Sequence, residues 1–215
     1  AAVAAGKHAF AEKPCAVDAP GVHSVLASCA EAKRKGLAVV SGLCLRYHTP
    51  YREALSRLHD GAIGDIRTLL ANDYRGPIWM HPRQPDWTDM HWQMRNWYYF
   101  TWLSGDFNVE QHVHNLDVCA WAKGDQYPLK AMGMGGREVR KGPEYGNIYD
   151  HYDATFEFAN GALAVFKIRG WTGCHNEFRL EIMGTKGRAS LSWASAAITG
   201  ASEWKYKGAT RPMHQ

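Results

Sequence analysis

A chain of 215 residues can bury one sizeable core or two small ones. Its net charge of +4 is mild and its 25 Lys and Arg are scattered, which excludes the basic stripe of a nucleic-acid binder. No stretch approaches the ~20 continuous apolar residues of a membrane span, and five cysteines far apart, with no CxxC pair, read as thiols of a reducing compartment rather than a zinc or disulfide framework.

In chain order, Ala1–Ala5 followed by Gly6 reads as the tail of an alanine-rich helix closed by a C-cap glycine, a truncated element. His8–Pro14 is short, partly apolar and ends in charge and proline, as a buried strand does at its carboxyl end. Asp18 caps the next helix, with Pro20 in its first turn and Val22, Val25, Leu26, Cys29 and Ala30 at helical spacing as far as Gly36. Leu37–Gly42 is a second strand. Strand, helix, strand makes a βαβ unit, half of a doubly wound parallel sheet.

From Thr49 the pattern changes. Pro50 opens a helix with Tyr51, Ala54, Leu55 and Leu58 on one face, and Gly61–Gly64 closes it before a strand from Ile66 to Tyr74 in a second sheet. Gly76–Trp102 has no clean period and concentrates Trp79, Trp87, Trp92, Trp97 and Trp102, so it is expected to be a long functional loop. Gly105–Lys123 returns to helical spacing through Val109, Val113, Leu116 and Cys119. Beyond Leu129 strands alternate: Ala154–Phe158 and Leu163–Ile168 flank the turn Asn160-Gly161, and Phe178–Met183 and Arg188–Trp193 flank Gly184–Gly187. The second region is therefore α+β, an antiparallel sheet with helices on one side.

Three groups of residues carry chemistry. Lys13 follows the first strand at the edge where open α/β sheets bind ligands, although a lone lysine there is also an ordinary surface residue. On the helix, Glu110, His114 and Asp117 are spaced by four and three, on one face, where imidazole and carboxylate make a proton-transfer unit. Two other readings stand beside that one. Glu110, His112 and His114 ligate a metal only if the helix breaks, since side chains two apart diverge, so no metal is expected; a purely structural polar cluster is the other. Third, the aromatic segment is interleaved with Arg75, His81, Asp86 and Asn96, a mixture suited to stacking a sugar ring, or else it is core.

Gly6-Lys7-His8-Ala9-Phe10-Ala11-Glu12-Lys13-Pro14, Gly61–Ile66 and Gly184-Thr185-Lys186-Gly187, in that order, resemble the strand, turn and hairpin motifs of the glucose-fructose oxidoreductase/inositol dehydrogenase family, Gfo/Idh/MocA. The resemblance implies the C-terminal part of a Rossmann-type parallel sheet (1–47) followed by a mostly antiparallel substrate domain (48–215). It implies NAD or NADP as cofactor, with Glu12, Lys13 and Pro14 beside it and Lys13 reaching both nicotinamide and substrate. It makes His114 the catalytic histidine and Glu110 the carboxylate four residues before it, where the family usually carries Asp, with Gly rather than His112 two before the histidine. Arg46, Tyr47, His48, Trp79, Trp97, His112 and Asn115 are the expected substrate contacts.

The implied reaction is hydride transfer between NAD(P) and a sugar or polyol carbon, with His114 as acid or base, Glu110 orienting it and Lys13 polarising the reacting oxygen. An NAD-dependent glycosidase or lyase acting by transient oxidation is one alternative, and a non-catalytic carbohydrate-binding or assembly module another. No GxGxxG phosphate loop occurs in the chain, so it reads as a cytoplasmic fragment that binds NAD poorly alone, with any secretion signal upstream. A homo-oligomer through the open sheet is expected, without nucleic acid or membrane.

Overall fold

A computed structural model describes residues 1–208 and divides the chain into two units interleaved in sequence. The first contains Ala1–Leu43, Ile78–Val113 and Arg140–Tyr149; the second contains Cys44–Pro77, His114–Val139 and the chain from Asp150 onward. The stretch Ile78–Val113, with most of the aromatic segment, falls in the first unit.

In the first unit β1 (Ala9–Ala11) pairs in parallel with β2 (Val39–Ser41), Ala9 opposite Val39. The helix α1 (Ala19–Arg34) makes the crossover. Its first turn is closed by Asp18, whose side chain accepts from the Gly21 N–H at 2.7 Å, one of the donors a helix start leaves without an internal partner. The aromatic segment is not a loop throughout. It contains α3 (Asp89–Arg95) and the start of α4 (Thr101–Ser104), too short to show a helical repeat, and α5 (Asp106–Glu110) follows.

Tyr98, Tyr99 and Phe107 fill its interior edge to face, with Tyr98 centroids 5.3 Å from Tyr99 and 6.3 Å from Phe107. Asn96, fully buried, replaces the missing backbone ladder: it accepts from the His81 N–H at 2.8 Å and donates to the His81 carbonyl at 3.0 Å. Gly146 closes the unit at φ 54°, where a Cβ would fall 2.1 Å from the Tyr99 carbonyl oxygen.

The second unit is an eight-stranded sheet in the order β10-β9-β8-β7-β3-β6-β5-β4. The strands are β3 (Ile66–Arg75), β4 (Lys130–Gly136), β5 (His151–Glu157), β6 (Leu163–Gly170), β7 (Glu177–Gly184), β8 (Gly187–Ser192), β9 (Ala196–Gly200) and β10 (Trp204–Lys205). Every pairing is antiparallel except β3 with β6. The β5–β6 hairpin turns on Gly161 at φ 74°, as Asn160-Gly161 predicts.

Strand alternation sends Leu69 and Ala71, Ala164 and Phe166, Leu180 and Ile182 to one face. There α2 (Thr49–His59), through Tyr51, Leu55 and Leu58, and α6 (Val113–Ala122), through Val118, Cys119 and Ala122, join the same core. Each buried Leu, Ile or Phe contributes about 1.5–3 kcal/mol, so this face dominates the unit's stability. The expected α/β plus α+β architecture is the one observed.

Candidate active site

Lys13 lies just past the carboxyl end of β1, and α5 meets it there. Gly105 permits the approach, since a Cβ on it would fall 3.2 Å from the Val17 Cα. The Lys13 Nζ donates to the Glu110 carbonyl oxygen at 2.6 Å and forms an ion pair with Glu110 Oε1. The lysine side chain keeps 18% of its surface exposed and the glutamate 5%, so the ammonium is the reachable partner of a nearly buried carboxylate. Glu110 Oε2 has no hydrogen-bond partner among the described residues.

The helix expected over 105–123 is interrupted. α5 ends at Glu110 and α6 begins at Val113, while the His112 N–H reaches back five residues to the Phe107 carbonyl at 3.3 Å. Glu110 and His114 therefore share no continuous helical face, and Glu110 turns to Lys13. Among the described residues no group of three or more His, Cys, Asp or Glu is placed to hold a metal. Glu12 packs where a Cβ on Gly42 would meet its Oε2 at 2.3 Å, and Pro14 follows Lys13 through a cis bond.

In the second unit His114 starts α6, nearly buried, with Nδ1 3.8 Å from the Cys44 sulfur. Three residues on, Asp117 accepts from the Arg46 Nε at 2.9 Å, and Arg46 also pairs with Asp125 at 2.7 Å. Burial pushes the Asp117 carboxyl above its ordinary value although Arg46 pulls it down, and these hydrogen bonds hold the Arg46 guanidinium charged more firmly still. The fork of Arg46 is thus occupied by carboxylates.

Tyr47 is exposed, whereas His48 is buried against the Tyr51 ring, centroids 5.5 Å apart, with neither ring nitrogen hydrogen-bonded among the described residues. His112 and Asn115 are fully buried, and the Asn115 amide has no partner among the described residues. Trp79 and Trp97, both exposed, face each other at 5.8 Å, with His81 5.5 Å from Trp79.

Two residues escaped the sequence reading. Asp106, at φ 72°, accepts from the Phe107 N–H at 2.6 Å and from the Tyr149 N–H at 3.1 Å, setting the start of α5; its place directly after Gly105 is the available signal. Cys44 is the other, and a contact across 70 positions leaves no local trace.

A family model described as the GFO/IDH/MocA C-terminal domain matches residues 51–190, and the chain belongs to that family. It is 26% identical over 193 residues to the 2,7-anhydro-N-acetylneuraminate hydratase of Escherichia coli, covering 89% of this chain and 46% of that protein.

The aldose-aldose oxidoreductase of Caulobacter crescentus, solved with glycerol, superposes with a TM-score of 0.73 at 21% identity, covering 100% of this chain and 58% of that one. An oxidoreductase from Agrobacterium radiobacter, solved with NAD+, L-tartaric acid and magnesium, gives a TM-score of 0.71 at 18% identity, covering 99% and 56%. The chain thus spans about half the length of the relatives it matches. A reductase and a dehydrogenase are among its other relatives, so its kinship includes enzymes of oxidoreduction beside that hydratase. Among the described residues no helix is long and apolar enough to cross a membrane.

Proposed function

We propose that the full-length protein moves a hydride between NAD(P) and a hydroxyl-bearing carbon of a sugar or polyol. The observation that carries this reading is the Lys13–Glu110 pair just past the carboxyl end of β1, where open α/β sheets bind their ligands. Here Lys13, which offers donors and no acceptor, suits the nicotinamide and hydroxyl end of a complex; phosphate contacts would come from residues other than these. When bound, the nicotinamide takes or supplies the hydride.

The chain's own residues handle everything else. Lys13 steadies negative charge on the reacting oxygen. Glu110 holds the Lys13 ammonium in place. His114 takes the hydroxyl proton on oxidation and returns it on reduction. Trp79 and Trp97 offer apolar faces to a sugar ring.

The test is reduced-nicotinamide absorbance with a sugar panel. His114→Ala is expected to lower kcat by about 10²–10⁴ and Lys13→Met to lower kcat/KM by roughly 100-fold. Normal turnover in either variant sinks the assignment.

A second reading, transient oxidation followed by elimination or hydration, is favoured by the kinship to a hydratase along 89% of the chain. It predicts product formation without net change in nicotinamide absorbance, so product analysis separates the two. A second copy docked on the open sheet face is part of the same reading. Met132 and Met134 are exposed on the edge strand there, and Asp153 with Lys167 and Glu177 with Arg179 intersperse both signs. Mass measurement in solution tests it, and a monomer at micromolar concentration rules it out.

A further inference from the structure

Trp79 and Trp97 owe their mutual position to the residues beside Trp97. Trp97 opens a 3-10 turn, Trp97–Tyr99, and each residue from Asn96 to Tyr99 meets the Trp79 stretch in its own way. Trp97 is exposed, and Tyr98 is the buried floor, its ring edge-on to Trp79 at 6.5 Å and to Trp97 at 6.2 Å. The outer two, Asn96 and Tyr99, are buried and hold backbone. Residues 78–84 belong to no helix or strand, so no ladder fixes them. The Tyr99 hydroxyl donates to the Ile78 carbonyl at 2.9 Å, and the Asn96 amide engages both backbone groups of His81 at 2.8 and 3.0 Å. Trp79 is thus pinned one residue before and two residues after, by the side chains that bracket Trp97 and Tyr98.

The two indoles stand 5.8 Å apart with their planes 56° from parallel. A sugar sandwiched between them needs about 7–8 Å, two carbon contacts of roughly 3.5–4.0 Å each. They form a corner instead, in which a ring lies on one indole with its edge against the other. We propose that Asn96 and Tyr99 are the positioning residues of this corner: touching no sugar, they fix Trp79 against Trp97 before a sugar ring arrives. The inference rests on the corner being the sugar platform of the function proposed above. An exposed indole on an unpaired stretch loses freedom when a ligand orders it, and that cost is subtracted from affinity. Anchored on both sides, Trp79 loses that freedom as the chain folds. The anchors therefore act on substrate binding and leave the hydride step alone.

The experiment uses the full-length protein. Two indoles this close and this tilted couple their excited states, and the resulting couplet in far-ultraviolet circular dichroism reports their angle without sugar or nicotinamide. Its loss in Trp97→Phe assigns it. Tyr99→Phe removes only the hydroxyl and keeps the ring against Tyr98 and Tyr145, at 5.3 and 5.8 Å; it is expected to weaken the couplet. On the sugar that the panel identifies, Tyr99→Phe is expected to raise KM roughly threefold to tenfold at nearly constant kcat. Trp79→Ala is expected to raise it about tenfold or more. In the double variant Tyr99→Phe/Trp79→Ala, KM equals that of Trp79→Ala alone, because the anchor then has nothing to place. Asn96→Ala follows the same pattern where it folds, and Tyr99→Phe decides where it does not.

An unchanged couplet or an unchanged KM in Tyr99→Phe overturns the proposal. So do losses that add in the double variant, since a general loosening of the unit adds. Wild-type KM in Trp79→Ala takes the corner out of the substrate site and overturns this inference while leaving hydride transfer in place. Absence of turnover on every sugar of the panel, with the couplet intact, overturns the function reading and this inference with it.

Discussion

Two ion pairs, one in each unit, look alike in sequence and differ in what they leave unmet. Arg46 and Asp117 share two hydrogen bonds from Nε, with Asp125 on the other side of the guanidinium and the Trp121 ring 5.4 Å from Cζ. That pair is fully engaged. Lys13 and Glu110 share one carboxylate oxygen and a carbonyl, while Glu110 Oε2 has no partner among the described residues and the lysine stays partly open to solvent. A buried polar group without a partner costs about 1–3 kcal/mol, and a fold carries that cost where the group serves something other than stability. We read the first pair as structural and propose the second, in line with the function proposed above, as functional; exchanging the readouts tests that distinction.

The largest effect on the structural side belongs to Arg46→Met. It leaves the Asp117 carboxylate nearly buried and without its guanidinium, so unfolding free energy should fall by about 3 kcal/mol, read as a lower urea midpoint. The double variant Arg46→Met/Asp117→Leu should recover most of it, because an apolar pair replaces a desolvated one at little cost. If the double variant is as unstable as the single, the pair contributes something other than mutual neutralisation. On the functional side, Glu110→Gln keeps the shape and one acceptor for Lys13 but removes the charge. Turnover should drop by roughly tenfold while the urea midpoint stays within the error of wild type. A large loss of stability with intact turnover would place Lys13–Glu110 among the structural pairs and dissolve the contrast.

The contrast also explains what the sequence could and could not disclose. The strand end before Lys13 was legible because proline and charge fall together in Glu12-Lys13-Pro14, and the β5–β6 hairpin because Asn160-Gly161 demands positive φ at one position. The helix and strand layers of the second unit's core were legible from period: 3.6 along Tyr51–Leu58, 2 along Leu163–Ile168.

The interruption between α5 and α6 was not, since Val109, Val113 and Leu116 keep helical spacing straight through it and only the reach of the His112 N–H to Phe107 records it. The partnership of Glu110 with Lys13 spans 97 positions and that of Arg46 with Asp117 spans 71, so both depend on how strands and helices stack. The aromatic segment misled for another reason. Its helices are held by side-chain plugs such as Asn96, and no hydrophobic period describes a plug.

The smallest effect concerns His48, beside the structural pair in sequence and unlike both pairs in having no hydrogen-bond partner among the described residues. It occupies the N-cap position of α2 without capping it, its ring lies against Tyr51, and burial lowers its pKa. The unfolded chain binds a proton at about pH 6.5, which the native state declines until a lower pH. Protons bound by the unfolded state exceed those bound by the native state in that window, so stability rises with pH through it. The contribution is complete above about 6.5 and is lost as pH falls toward the native value. Urea midpoints measured from pH 7.5 down to pH 5 should therefore decline more steeply in wild type than in His48→Gln, the two curves running parallel above about 6.5. Equal slopes throughout would mean that His48 titrates alike in both states, and that its burial is relieved by a partner when the protein is in solution.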